Sequence, residues 1–218
     1  MGLVLKQRDY RIMKDLERFR FCLSRHIKLL AEFSGQRACD RRIKLLIEAG
    51  YIDRKKVLYG IPSLYYLTHK GKMLIGANKR QDKIRVDKIA HDVTVIDTVV
   101  YFIYHHKISI EKIQTEKELN SIIGFTTKRH QPDFIYEKEG KKYCVEIELT
   151  AKSKKRFEEI VEENYLNYET QHWVIAKHGV KIRAMIERLI PQYTNIEIIE
   201  LEEVQEYVRV NNENIKTE

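Results

Sequence analysis

The sequence predicts an α+β fold in two parts, and three observations predict it. Apolar residues recur at helical spacing through most of the first fifty positions and then give way to two short β-like runs. Positive charge is concentrated in the first 80 residues, which hold 19 Lys and Arg against 7 Asp and Glu. Beyond residue 84, short apolar strands alternate with amphipathic helices, the pattern of a layered α/β design.

The first part is predicted to span residues 1–80. In QRDYRIMKDLERFR (7–20), Tyr10, Ile12, Met13, Leu16 and Phe19 fall on one helical face. Ser24 is expected to cap a second helix, RHIKLLAEF, which buries Ile27, Leu29 and Leu30. Ser-Gly-Gln at 34–36 reads as a turn. The third helix, QRACDRRIKLLIEA, is expected to end at Gly50, a residue free to adopt the left-handed conformation past a helix end. Two strands, 51–58 and 63–68, follow around a Gly-Ile-Pro-Ser tip, and LTHKGKMLI opens a further helix.

Helix, helix, turn, helix, β-ribbon, helix is the order of a winged helix-turn-helix, in which the third helix enters the major groove of duplex DNA. Its predicted exposed face carries Gln36, Arg37, Asp40, Arg41 and Lys44. Arginine can hold guanine O6 and N7 through two parallel hydrogen bonds, and glutamine can do the same for adenine. Arg54, Lys55 and Lys56 lie in the first ribbon strand, where cations would meet backbone phosphate. A surface this basic favours a polyanion, and double-stranded DNA is the simplest partner. A protein-contact role for the same fold is the alternative.

After a polar hinge at 76–83, the second domain is expected over 84–210, with a polar tail at 211–218. It opens on a long apolar helix, IRVDKIAHDVTVIDTVVYFIYHH, a candidate dimer interface. A strand near 110–116 and a short helix near 116–122 follow. The hairpin DFIYE–Glu139-Gly140–KYCVEIELT comes next, then the helix 153–169, the strand HWVIAK, the helix 179–190, the strand NIEIIEL and a short closing helix.

Side chains alternate along a strand, so Cys144, Glu146, Glu148 and Thr150 share one face and Val145, Ile147 and Leu149 the other. The apolar face is expected to pack on a helix, and the two carboxylates to face Asp133 at the head of the paired strand. Buried carboxylates need neutralising partners. A hard cation such as Mg²⁺ would serve, and so would the basic run Lys152, Lys155 and Arg156. His91, on the long helix beside Asp92, is a candidate for orienting water or contacting phosphate.

An αβββαβ core with Pro132-Asp133 heading one strand and Glu146 in the next resembles the PD-(D/E)xK nuclease superfamily. That resemblance implies a restriction-endonuclease-like fold with Asp133 and Glu146 as metal ligands. The superfamily places a lysine two residues after the second acid. Here that position is Glu148, and Lys152 or Lys155 from the following helix would have to substitute. Over most of its length the chain also resembles the replication-relaxation family, found largely in plasmids, phages and integrative elements. The residues carrying this likeness are Asp9, Arg42, Leu45, Gly50, Tyr51, Tyr66, Leu67, Thr68, Gly71, His91, Pro132, Asp133, Glu146, Glu148, Lys152, Ser153 and Arg156. It implies a DNA-binding accessory protein with a role in replication, relaxation or mobilisation, working as a homodimer beside replication or transfer proteins. A metal-dependent DNA nickase or endonuclease is the alternative, and a pure protein adaptor is a third.

Composition bounds the setting. No run of 18 apolar residues occurs, so no membrane span is expected. The start, MGLVLKQRDY, lacks the apolar segment of a signal peptide. Cys22, Cys39 and Cys144 follow no metal-binding spacing and suit free thiols in a reducing cytoplasm.

Overall fold

The computed structural model describes residues 3–57, 62–78, 82–123 and 130–214. It is a mixed α+β structure of two compact units, one formed by residues 1–100 and 208–218 and the other by 101–207.

In the first unit, α1 (Gln7–Phe19), α2 (Ser24–Leu30) and α3 (Gln36–Glu48) precede the antiparallel strands β1 (Ile52–Lys55) and β2 (Leu64–Leu67), followed by α4 (His69–Leu74). The strand expected over 51–58 is thus shorter, so that Lys56 lies just past it, and positions 58–61 of the ribbon tip lie outside the described residues. Ile12, Met13, Leu16 and Phe19 of α1 are buried, as their helical spacing demands. Burying four such side chains removes enough apolar surface for roughly 6–12 kcal/mol of gross stabilisation.

The end of α3 follows from Gly50. Its φ is +74°, and two bonds close the helix: the Gly50 N–H donates to Ile47 O and the Tyr51 N–H to Leu46 O. The start of α2 differs from expectation. Ser24 is its first helical residue, and the preceding Leu23 N–H donates to Nδ1 of His26, so an imidazole rather than a serine hydroxyl caps this turn. The expected hinge over 76–83 includes residues 79–81, which lie outside the described residues. A short 3₁₀ turn, Val86–Lys88, leads into α5 (Ile89–Tyr104), and the division between the units falls within this helix rather than at the hinge.

The second unit is built on a five-stranded sheet in sequential order: β3 (Ile113–Thr115), β4 (Phe134–Lys138), β5 (Lys141–Glu148), β6 (Gln171–Ile175) and β7 (Ile196–Glu200). Helix α6 (Glu116–Ile123) lies between β3 and β4 in the chain. The first three strands are antiparallel. The β4–β5 hairpin turns on Glu139 and Gly140, whose φ values of +53° and +75° are those of a two-residue primed turn. β5, β6 and β7 are parallel, and parallel neighbours need crossovers. These are α7 (Lys154–Asn167) and α8 (Val180–Leu189), and both pack on one sheet face with Trp173, Ile175 and Ile196. Helix α9 (Leu201–Asn214) follows β7 and is longer than the short closing helix expected; it extends into the expected tail at 211–218, of which 215–218 lie outside the described residues.

Candidate nucleic-acid interface and acidic cluster

The orientation of α3 is fixed from its buried side. Cys39, Ile43 and Leu46 point into the core of the first unit. One flank carries Arg42, whose Nε donates to Asp9 Oδ1 at 2.7 Å while an NH₂ group reaches the other carboxylate oxygen. Asp9 is fully buried and also accepts the Lys6 N–H at 2.6 Å, so one carboxylate caps α1 and clamps α3. The opposite pole of α3 carries Arg37, Arg41 and Lys44, all exposed, with Lys44 3.8 Å from Glu48.

The remaining flank turns Gln36 and Asp40 toward the ribbon. Gln36 Nε2 donates to Asp40 Oδ1 at 2.7 Å. Asp40 lies near enough to Tyr65 of β2 that its charge, after burial, raises the tyrosine's proton affinity, while a hydrogen bond from Arg54 works the other way. Arg54 is the register partner of Tyr65 across the ribbon. Arg54, Lys55 and Lys56 are exposed. His91, also in the first unit, lies with Nδ1 3.6 Å from Asp92 Oδ1.

The acidic cluster belongs to the second unit. Phe134 pairs with Val145, which sets Asp133, one residue earlier, on the same face as Glu146. β5 is buried on both faces from Cys144 to Glu148, so the two carboxylates are buried. Glu146 and Glu148 are register partners of Trp173 and Ile175, which pack against α7 and α8. A strand at the centre of a sheet covered on two sides has no open face.

Each carboxylate is answered from within the unit. Glu146 Oε1 lies 2.6 Å from His130 Nε2 and accepts from Asn164 Nδ2 at 2.9 Å. Burial, with a smaller push from Asp133, holds the Glu146 carboxyl above its ordinary proton affinity, although His130 and Asn164 pull it down. Burial lowers the His130 imidazole, but the bond to Glu146 together with the charges of Glu146 and Asp133 outweighs it, and the net shift is upward. Asp133 Oδ2 accepts the Ile147 N–H at 2.8 Å. Glu148 is paired with Lys152. Lys155 is exposed on α7 and lies 3.9 Å from Glu159.

His130 and Asn164 were not foreseen. Asn164 stands on the apolar face of α7 in the series Phe157, Ile160, Val161, where a buried amide signals a polar partner opposite.

As folded, the oxygens that a magnesium ion would take are already engaged. Glu146 Oε1 faces an imidazole nitrogen, and the neighbouring carboxylate of Glu148 is taken by an ammonium. Among the described residues, no three His, Cys, Asp or Glu side chains are grouped so as to hold a metal ion. Cys22, Cys39 and Cys144 are free and buried, and burial pushes each thiol up, Cys39 to about 12. No described helix is long and apolar enough to cross a membrane. No protein-family model, curated protein or solved structure gives a significant match to the chain.

Proposed function

We propose that the chain is a double-stranded DNA-binding accessory protein of a mobile element. In this reading the first unit is a winged helix-turn-helix that docks α3 in the major groove and the β1–β2 ribbon on phosphate. The second unit is a nuclease-like scaffold used for assembly, as a homodimer or with replication or transfer proteins. The link to mobile elements rests on the replication-relaxation resemblance.

One observation carries the reading. Arg42 is turned inward to hold Asp9, whereas Arg37, Arg41 and Lys44 on the outer pole of the same helix are exposed. With Arg54, Lys55 and Lys56 on the ribbon, the first unit offers a cationic face whose outermost arginines are available to bases and phosphates. The test is a mobility-shift titration on random-sequence and selected duplexes. Replacing Arg37 and Arg41 together with Ala is expected to weaken binding at least about tenfold. Unchanged affinity would remove α3 from the interface.

A second reading, a Mg²⁺-dependent DNA nickase, is favoured by the shared face of Asp133 and Glu146 and by the effect of one charge on the other. It requires Glu146 to release His130 and Asn164. Supercoiled plasmid with Mg²⁺ or Mn²⁺, run beside Asp133→Asn, decides it. Metal-dependent conversion to open circle that the variant lacks supports the nickase, and no conversion removes it.

A further inference from the structure

A carboxylate on a face that meets DNA needs a reason. Asp40 repels phosphate, and its neighbours on α3 are otherwise suited to a polyanion: Gln36, Arg37, Arg41 and Lys44. Deleting the charge would strengthen every contact that depends on net attraction. An acidic group that costs general affinity can contribute selectivity by opposing the wrong partner.

The geometry supplies that role. Gln36 is in the first turn of α3 and Asp40 is one turn further on the same flank. The 2.7 Å bond from Gln36 Nε2 to Asp40 Oδ1 occupies one amide hydrogen and fixes the orientation of the amide. A second hydrogen on Nε2 and the carbonyl oxygen remain to form the two bonds that adenine offers, at N7 and N6. A free glutamine side chain can flip its amide and spread over many rotamers. A tethered one arrives already set for one donor and acceptor pattern. Asp40 lies close enough to Tyr65 of the ribbon for its charge to act on the phenol.

We propose that the Gln36–Asp40 pair is a base-specifying element: Gln36 reads adenine in the major groove, and Asp40 positions it while opposing binding to sequences that lack the adenine. The inference rests on the DNA-binding reading of the first unit and deepens it. Arg37, Arg41 and the ribbon cations supply affinity, and the pair supplies discrimination.

The experiment is site selection from a random duplex library with the full-length chain, followed by titration on the selected duplex and on copies altered at one base pair. The wild-type chain is expected to prefer A·T at one position of the site by about tenfold. Gln36→Ala should lose that preference. Asp40→Ala should lose most of it and bind non-selected duplex more tightly than the wild type. Asp40→Asn is the control: its carbonyl can still accept from Gln36, so it should tighten non-selected binding yet keep the preference. Retention of the preference in both Gln36→Ala and Asp40→Ala overturns the inference while leaving DNA binding intact. Loss of the preference in Asp40→Asn as well as Asp40→Ala overturns the positioning role. Absence of duplex binding by the wild-type chain overturns the DNA-binding reading, and this inference with it.

Discussion

Arg42 and Asp9 form an ion pair inside the first unit, with Asp9 fully buried and Arg42 Nε 2.7 Å from its carboxylate. The pair joins the start of α1 to the middle of α3, so the angle at which the basic pole is presented depends on it. Removing one partner leaves the other charge stranded.

Arg42→Ala is therefore expected to destabilise the chain by about 3–5 kcal/mol, because it removes the cation that a fully buried carboxylate is built against. Urea denaturation followed by circular dichroism measures this. A double replacement with apolar residues, Asp9→Leu with Arg42→Met, should recover most of the loss. A cost below about 1 kcal/mol for Arg42→Ala would mean that the pair contributes no more than a surface bridge.

Gly71 tests the packing of α4. A Cβ added there would collide with the backbone carbonyl of Tyr51, and backbone cannot swing aside as a side chain can. Gly71→Ala should cost about 2 kcal/mol or more despite alanine's better helix propensity. A melting temperature equal to or above the wild type would show that α4 shifts freely.

His172 should make the chain acid-sensitive. Its Nε2 bonds the Tyr136 hydroxyl at 2.8 Å, its Nδ1 lies 3.1 Å from Glu197, and the rings of Phe102 and Tyr143 pack on it. Burial, with a smaller contribution from His106, lowers its pKa from 6.5 to about 4. The unfolded chain takes up the proton first, so stability is complete above 6.5 and drains away as pH falls toward 4. The loss amounts to up to about 3 kcal/mol. In His172→Phe the slope of unfolding free energy against pH across this window should flatten. An unaltered slope would show that the imidazole is hydrated.

His130 and Glu146 should act in the opposite direction. Both have raised proton affinity in the folded chain. The folded state therefore keeps a proton that the unfolded state has lost once pH passes the ordinary histidine value of 6.5. The stabilisation is complete below the unfolded values and fades as pH rises through the folded ones. Relative to His130→Gln, the wild type should lose stability as pH rises above 6.5. A parallel pair of curves over that range would show that the two groups are not linked by a shared proton.

The order of helices and strands is legible because its signals are local. The 3.6-residue spacing of Ile12, Leu16 and Phe19 and the glycine that ends α3 each depend on a few neighbours. The Glu139-Gly140 turn was equally plain. The partner of Arg42 is not legible in this way, since Asp9 lies 33 residues away. The capping of α2 by His26 was hidden because a serine stood at the expected place. The acidic cluster was half readable. Alternation put Glu146 and Glu148 on one face, but only the parallel partner β6 and the helix α7 reveal that this face is closed. His130 was missed for the same reason: it lies 16 residues from Glu146 in the chain.

The first unit borrows from the far end of the polypeptide: Val208 is buried, and the ammonium of the fully buried Lys28 donates to the carbonyl of Asn212. On the ribosome, residues 1–100 emerge long before those two partners exist. During synthesis the first unit must wait, with Lys28 still hydrated, until more than a hundred intervening residues have been translated. Maturation of this unit is thus tied to translation past residue 212, and truncation before residue 208 would leave it unfinished.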